Sequence, residues 1–342
     1  MLKKVVTFGE IMLRLSTPGH SKFIQADSFD VTYGGGESNV AVSLAQFGLN
    51  TCYVTKAPNN PIGQCAINHV RRFGVNTDYI VRGGERLGIY FLESGSAQRP
   101  SKVVYDRSNS SISQAVPEDF NWRQIFDGAD WFHWTGITPA VSDSAACCVR
   151  EACKIAREMG VTISCDLNYR KKLWTRDKAN KVMTALMEYV DVCVGNEEDA
   201  ADVFGIKAAN TDVTKGKLHA EGYKDTARQL MEKFNFKYVA ITLRESFSAS
   251  HNGWSGLLYD GNDFYQSRKY DINPIVDRVG GGDSFCAGLI YALVTGKEPQ
   301  DAIDFAAAAS CLKHTIPGDF NLITVDEVEL LARGDASGRV QR

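Results

Sequence analysis

The segment Asp277-Arg278-Val279-Gly280-Gly281-Gly282-Asp283-Ser284-Phe285 carries the densest chemistry in this chain. Three glycines precede an acid, and Phe285, Leu289 and Leu293 then recur every four residues, the spacing of an amphipathic helix. Glycine lets the backbone turn sharply and lets a ligand reach the amides with no Cβ in the way. The unbonded N–H groups of a helix's first turn, with the positive end of its dipole, suit a phosphate. A carboxylate at that spot would repel phosphate. It gains a purpose if Asp283 takes a proton from a hydroxyl while the preceding amides hold the phosphoryl group that the hydroxyl attacks. An aspartate capping a helix after a glycine turn would give the same pattern.

A second run, Tyr33-Gly34-Gly35-Gly36-Glu37-Ser38-Asn39-Val40-Ala41, also opens a helical stretch. Gly34 and Gly35 allow close approach of a polar ligand, and Asn39 offers both donors and an acceptor. The common nucleotide fingerprints are absent. Asn39 and Phe285 occupy the third glycine position of G-x-G-x-x-G, and no G-x-x-x-x-G-K-[ST] occurs.

Elements that could position these runs alternate along the chain. Lys3–Gly9, Thr51–Lys56, Ala129–Trp134, Val161–Asp166, Asp191–Val194 and Lys237–Leu243 read as strands. Ser38–Phe47, Ile62–Phe73, Ser142–Met159, Arg176–Tyr189, Lys224–Phe234, Ser284–Val294 and Pro299–Lys313 read as helices. Gly48, Gly74, Gly160 and Gly296 supply left-handed helix ends. Near-continuous apolar strands between helices predict an α/β protein with a mostly parallel central sheet flanked by helices. Ligands in such folds sit beyond the carboxyl ends of the strands. Two stretches, about 11–33 and 87–113, break the rhythm and read as one small, discontinuous β-structure across that edge: a lid, or a plain surface hairpin. His133, between Phe132 and Trp134 in an apolar strand, reads as a core residue, and the tail from Arg333 as frayed.

Composition narrows the class. The 342 residues carry 38 Lys+Arg against 41 Asp+Glu, a net charge of −3, so no basic excess points to nucleic acid or an acidic membrane surface. Apolar runs fall short of the ~18 residues that span a bilayer, and Met1-Leu2-Lys3-Lys4 leads into a strand rather than a signal sequence. Nine cysteines without CxxC spacing read as reduced structural thiols rather than a disulfide framework or zinc site. The expectation is a cytoplasmic globular protein with one core over residues 1–342.

The two glycine runs, in this order and spacing, resemble those of the ribokinase-like (phosphofructokinase B-type) carbohydrate kinases, and the likeness runs from Phe8-Gly9-Glu10 to about Thr324. The resemblance implies a sugar under a β-lid, ATP with Mg²⁺ in the adjacent groove, and a lid that often mediates self-association. It makes Asp283 the base and Gly280, Gly281 and Gly282 the anion hole. The family's N-x-x-E motif falls on Asn196-Glu197-Glu198-Asp199, giving Asn196 a nucleotide role and Asp199 a magnesium role with a shorter acid. Its Thr-x-Gly nucleotide loop falls on Thr242-Leu243-Arg244. Asp277 and Val279 fall where relatives bind a monovalent cation such as K⁺, with Arg278 at a position where threonine is usual.

Within that family the chain is most similar to the 2-keto-3-deoxygluconate kinases, through Gly9-Glu10-Ile11-Met12-Leu13-Arg14-Leu15, Tyr90, Tyr105-Asp106-Arg107, Gly136-Ile137-Thr138-Pro139 and Asp166-Leu167-Asn168-Tyr169-Arg170. That likeness places Tyr90, Tyr105, Arg107, Ile137 and Arg170 at the substrate. A sugar acid needs a cation for its carboxylate, and arginine binds one bidentately. Arg107 on the lid and Arg170 after a strand's carboxyl end are the candidates. Fructokinase-like relatives also carry arginine after Asp-x-Asn, so Arg107 with Tyr105 is the better discriminator. The implied reaction is phosphorylation at the C6 hydroxyl. The alternatives are a fructokinase, ribokinase or other neutral-sugar kinase, and a non-catalytic sugar sensor on the same fold.

Overall fold

The computed structural model describes residues 2–207, 220–335 and 338. Its strands are β1 Lys4–Phe8, β2 Met12–Ser16, β3 Asp30–Gly34, β4 Asn50–Val54, β5 Lys56–Ala57, β6 Val81–Arg82, β7 Gly88–Glu93, β8 Lys102–Asp106, β9 Trp131–Thr135, β10 Thr162–Asp166, β11 Val192–Gly195, β12 Tyr238–Ser248, β13 His251–Tyr259, β14 Phe264–Gln266 and β15 Tyr270–Ile272. Its helices are α1 Gly36–Gln46, α2 Pro61–Arg71, α3 Trp122–Ile125, α4 Ile137–Val141, α5 Asp143–Glu158, α6 Arg176–Met187, α7 Glu197–Phe204, α8 Ala220–Phe234, α9 Gly281–Val294, α10 Pro299–Lys313 and α11 Val325–Ala332.

The main sheet runs β14-β13-β12-β11-β10-β9-β1-β4, with β15 also on β13. From β4 through β12 the pairing is parallel, so the expected parallel sheet is present. Beyond β12 it turns antiparallel. Successive strand residues feed opposite cores: Val5 and Trp131 join Leu44, Phe285, Leu289 and Phe305 on one face, while Val6 and Phe132 join Trp122, Val149 and Met183 on the other. Burial on both faces is why these strands read as unbroken apolar runs. His133 lies in this core with no exposure, its Nδ1 2.8 Å from Ser164 Oγ. The glycines at 48, 74, 160 and 296 all have positive φ at helix ends, as their positions predict.

The antiparallel edge was not expected. Strand β13 carries Asn252, Gly253, Ser255 and Gly256, which lack the apolar signature of a buried strand. Gly256 is needed because α9 lies directly on it: a Cβ there would stand 2.7 Å from Phe285 Cε2. Gly288 likewise lets α9 approach α10, since its Cβ would sit 2.8 Å from Ala306 Cα. The helix that presents Asp283 is thereby clamped between the sheet and α10.

A second sheet, β3-β2-β7-β8, uses residues 12–34 and 88–106, with β2 and β7 parallel and the outer pairs antiparallel. Met12, Arg14 and Ser16 share its buried side, by the two-residue period of a strand. Among the described residues no helix is long and apolar enough to cross a membrane, and all nine cysteines are free thiols. The expectation of a frayed tail concerns residues that lie mostly outside the described ones.

Candidate active site

A cleft of about 840 Å³ lies at the carboxyl ends of the parallel strands, bounded on one side by the second sheet. Asp166, Asn168 and Arg170 enter it from the end of β10, Val194 to Asn196 from the end of β11, and Thr242 and Arg244 from β12. Of the residues singled out in the sequence, Gly34, Gly35, Asn39, Tyr90, Tyr105, Arg107, Ile137, Arg170, Asn196, Asp199, Thr242, Arg244, Val279, Gly280, Gly281, Gly282 and Asp283 all line it. Asp277 does not.

The glycine run at 280–282 starts α9 three residues before the Ser284 onset read from the sequence. Gly280 is the N-cap at φ +82°, so Asp283 stands inside the first turn and is not the cap that the alternative reading required. A Cβ at Gly280 would meet Asp319 O at 2.1 Å, and one at Gly281 would meet His314 Cε1 at 2.5 Å. Gly282 is different: nothing lies within 4 Å of its Cβ direction, so its bareness opens the turn to the cleft. Gly281 N–H donates to Arg278 O (3.3 Å), which leaves the Gly282 and Asp283 amides without an acceptor among the described residues. They are the donors of this helix end.

Asp283 is held, not merely near. Asn39 Nδ2 donates to Asp283 Oδ2 at 2.7 Å, while Asn39 Oδ1 accepts from Gly35 N–H at 3.2 Å. Burial raises the Asp283 pKa to about 6, against the Asn39 hydrogen bond and the Arg170 charge, which lower it. The carboxylate is therefore mostly ionised at neutral pH yet far more basic than a solvated one, a pKa suited to a general base. Gly34 and Gly35 serve the protein more than a ligand: their Cβ atoms would strike Asp319 Oδ1 (2.3 Å) and Glu10 O (1.9 Å). Buried Glu37 completes this side by accepting from Thr135 N–H (3.0 Å), Thr135 Oγ1 (2.8 Å) and Thr138 Oγ1 (2.6 Å), which fixes the end of β9.

The sequence reading missed a network beneath the cleft. Arg14, from β2, donates through Nη1 to Asp319 Oδ2 (2.7 Å), through Nη2 to Asp277 Oδ2 (2.6 Å) and through Nε to Ser16 Oγ (2.7 Å). Burial would lower the Arg14 pKa, but Asp319 and Asp277 overcome it and hold it above its ordinary value. The Tyr90 hydroxyl donates to Asp319 Oδ1. An arginine on the inward register of a strand was the available signal; its partners, far along the chain, had none. This network also corrects the cation expectation. Asp277 gives Oδ1 to Val279 N–H (3.0 Å) and Oδ2 to both Arg14 and Gly318 N–H (3.1 Å), so its carboxylate already has its cation and does not fit an alkali-metal ligand.

Two of the arginines singled out in the sequence, Arg107 and Arg170, line the cleft. Arg107 is not a solvated hairpin charge: Nη2 donates to buried Glu10, which also accepts from Ser110 Oγ (2.8 Å), and the guanidinium lies 5.5 Å from the Tyr105 ring centroid. Its buried Nε has no hydrogen-bond partner among the described residues. Arg170 is exposed in the cleft, and no ion pair engages it among the described residues, although Asp166, Asp199 and Asp283 all feel its charge. Asn168, at φ +38°, makes the sharp turn that delivers Arg170 and donates to Asp166 Oδ2 at 3.3 Å.

At the other end, Asn196 and Asp199 form a reciprocal cap on α7. Asn196 Oδ1 accepts from Asp199 N–H (2.8 Å), and Asp199 Oδ2 accepts from Asn196 N–H (3.4 Å). Asp199 Oδ1 also accepts from Tyr169 N–H at 3.0 Å, and burial raises its pKa to about 6. The described residues contain no group of three or more His, Cys, Asp or Glu able to cage a metal. Asp199 and the exposed Glu198 line the cleft, and this pair suits an ion whose other ligands are phosphates and water. Arg244 and Arg278 line the same end and repel each other, since the charge of Arg244 helps lower the Arg278 pKa after burial.

Known proteins resemble this chain over nearly its whole length. The family model of the pfkB carbohydrate kinases matches residues 2–322. A crystal structure of 2-dehydro-3-deoxygluconokinase from Thermotoga maritima is 55% identical, with TM-score 0.94 over 98% of this chain and 99% of that one. The 2-dehydro-3-deoxygalactonokinase of Haloferax volcanii is 33% identical over 99% of both chains. The 2-dehydro-3-deoxygluconokinase of Bacillus subtilis is 28% identical over 92% of this chain and 91% of its own.

Proposed function

Because the chain belongs to the pfkB family of carbohydrate kinases, we propose that it transfers the γ-phosphoryl group of ATP to the C6 hydroxyl of 2-keto-3-deoxygluconate, giving 2-keto-3-deoxy-6-phosphogluconate and ADP. The observation that carries the reading is Asp283, oriented by Asn39 at 2.7 Å and standing in the first turn of a helix with free amides. The likeness to the Thermotoga maritima kinase at 55% identity supports the substrate.

In this reading Asp283 accepts the proton of the C6 hydroxyl as that oxygen bonds to the γ-phosphorus and the bond to the bridging oxygen of ADP breaks. The Gly280–Gly282 turn, with the free amides at 282 and 283, receives the charge on the transferring group. Asn196, Thr242 and Arg244 border the nucleotide, with Arg278 beside them. Asp199 and Glu198 would hold Mg²⁺, which neutralises phosphate charge when bound. The substrate carboxylate lies on Arg170, which no ion pair engages among the described residues, and on the remaining donors of Arg107. Gly34, Gly35, Asn39, Tyr90, Tyr105 and Ile137 wall the sugar. The second sheet acts as a lid on a single kinase domain and keeps water from the phosphate. Ile24 (92% exposed), Val31 (58%) and Val104 (52%), on or next to that sheet, support self-association through it. Nine unpaired thiols support a cytoplasmic location.

One observation favours a neutral-sugar kinase: Glu10 already neutralises Arg107. A panel of 2-keto-3-deoxygluconate, its C4 epimer, fructose and ribose, read by coupled ADP release, decides between them. The acids should turn over with the highest kcat/KM. In Arg170→Ala that value should fall about tenfold or more for the acids, the worth of a charged hydrogen bond, with neutral sugars unaffected. Preference for a neutral sugar, or equal losses for both classes, overturns the substrate assignment. Failure of every sugar in the panel to release ADP favours a non-catalytic sensor.

A further inference from the structure

We infer that the buried ammonium of Lys313 is a built-in cation that stands in for a monovalent metal ion behind the Gly280–Gly282 turn and holds that turn in shape. Lys313 ends α10 and has no exposed surface. Its Nζ donates to two backbone carbonyls, Asp277 O and Ile316 O, each at 3.4 Å. Those carbonyls belong to the two chain segments that enclose Gly280. One runs directly into the glycine turn, and the other ends at Asp319, whose carbonyl would lie 2.1 Å from a Gly280 Cβ. Lys313 itself touches the turn, with Cε 3.3 Å from that Cβ position.

A compact positive charge among carbonyl oxygens is the donor chemistry of an alkali-metal site. The carboxylate that would complete such a site, Asp277, is spent on Arg14 and on two amides. Lysine thus brings its own charge where a metal ion would otherwise be recruited. The placement is costly: burial pushes the Lys313 pKa down and the Arg14 charge adds to that push, while the Asp277, Asp319 and Asp283 charges oppose it. An apolar side chain of similar length would fill the space without that cost. The charge therefore serves the turn, and Lys313 is a positioning residue acting through Gly280 on the amides that receive phosphate.

The turnover measurements rest on the kinase reading; the melting measurements do not. For the unaltered protein, turnover and melting temperature should be the same in KCl and in tetramethylammonium chloride of equal ionic strength. Lys313→Met keeps the volume and removes the charge; its kcat should fall roughly 10–100-fold, the usual cost of losing a supporting-shell partner, with the sugar KM unchanged. Lys313→Ala should melt higher in KCl or NH4Cl than in the tetramethylammonium salt and recover part of its turnover there. Activation or stabilisation of the unaltered protein by K⁺ overturns the inference. So does full turnover in Lys313→Met, or an alanine variant whose melting ignores K⁺. If neither variant folds, the ion response of the unaltered protein decides alone.

Discussion

Removing the amide that orients Asp283 tests the heart of the site. In Asn39→Ala the 2.7 Å hydrogen bond to Asp283 Oδ2 disappears, and with it the one side-chain hydrogen bond among the described residues that lowers this carboxyl's pKa against burial. A hydrogen bond to a charged group contributes about 1.5–3 kcal/mol, which corresponds to about 1–2 pKa units. The Asp283 pKa, about 6 in the intact protein, should therefore move upward by that amount. The sign is fixed by which form reacts. Only the ionised carboxylate accepts a proton, so activity is lost as pH falls through its pKa, and a higher pKa brings the loss to higher pH. At pH 6 the ionised fraction would drop from about one-half to about one-eleventh for a one-unit shift, a loss of about fivefold, and of about fiftyfold for two units. At pH 9 both carboxyls are about nine-tenths ionised or more, and protonation contributes almost no difference. The assay is kcat/KM for the sugar substrate across pH 5–9, which reports ionisations of the free enzyme. A variant with an unmoved acid limb and a uniform loss at every pH would refute the electrostatic reasoning and leave Asn39 a purely geometric support.

Two further substitutions read the glycine turn, and a third reads the buried network. Gly282→Ala should leave the melting temperature unchanged, because its Cβ meets nothing within 4 Å, while raising the KM for ATP at the opening of the turn. Gly280→Ala, at φ +82° and against Asp319 O, should lose at least about 1–3 kcal/mol in denaturant unfolding. Arg14→Met strands Asp277 and Asp319 as buried carboxylates without their cation and should cost about 3–5 kcal/mol at neutral pH, read by the same unfolding curves. A melting temperature equal to that of the intact protein would show that these acids find other partners.

Legibility in the sequence followed the range over which each signal acts. Asp283 and Gly280–Gly282 stood out because glycine, acid and helical period lie within one short segment. The parallel sheet was readable from unbroken apolar strands, since both faces of β1 and β9 are buried. The β13–β15 edge escaped notice because Gly256 is dictated by what packs onto the strand, which no local pattern records. The same limit explains Gly34 and Gly35, whose small size answers Asp319 and Glu10 rather than a ligand. Arg14, Asp319 and Lys313 are ordinary charges in sequence. They acquire meaning only when folding sets them against one another. Arg107 and Arg170 exchanged weight for a related reason: Glu10 claims the one that sequence favoured.

The separation of the site's partners along the chain has a consequence for how the protein is made. Neighbours in the main sheet from β9 to β14 are also neighbours in sequence, so that part of the sheet can grow strand by strand as the chain emerges from the ribosome. The centre cannot. Asn39 waits 244 residues for Asp283, and Arg14 waits 305 for Asp319. A nascent chain can hold most of its strands and still lack Asp283, the glycine turn and the anchor of its second sheet. Competence to spend ATP therefore arrives late in synthesis, and a chain truncated before Asp283 lacks both its chemistry and the helices α9 and α10 that cover one face of the sheet.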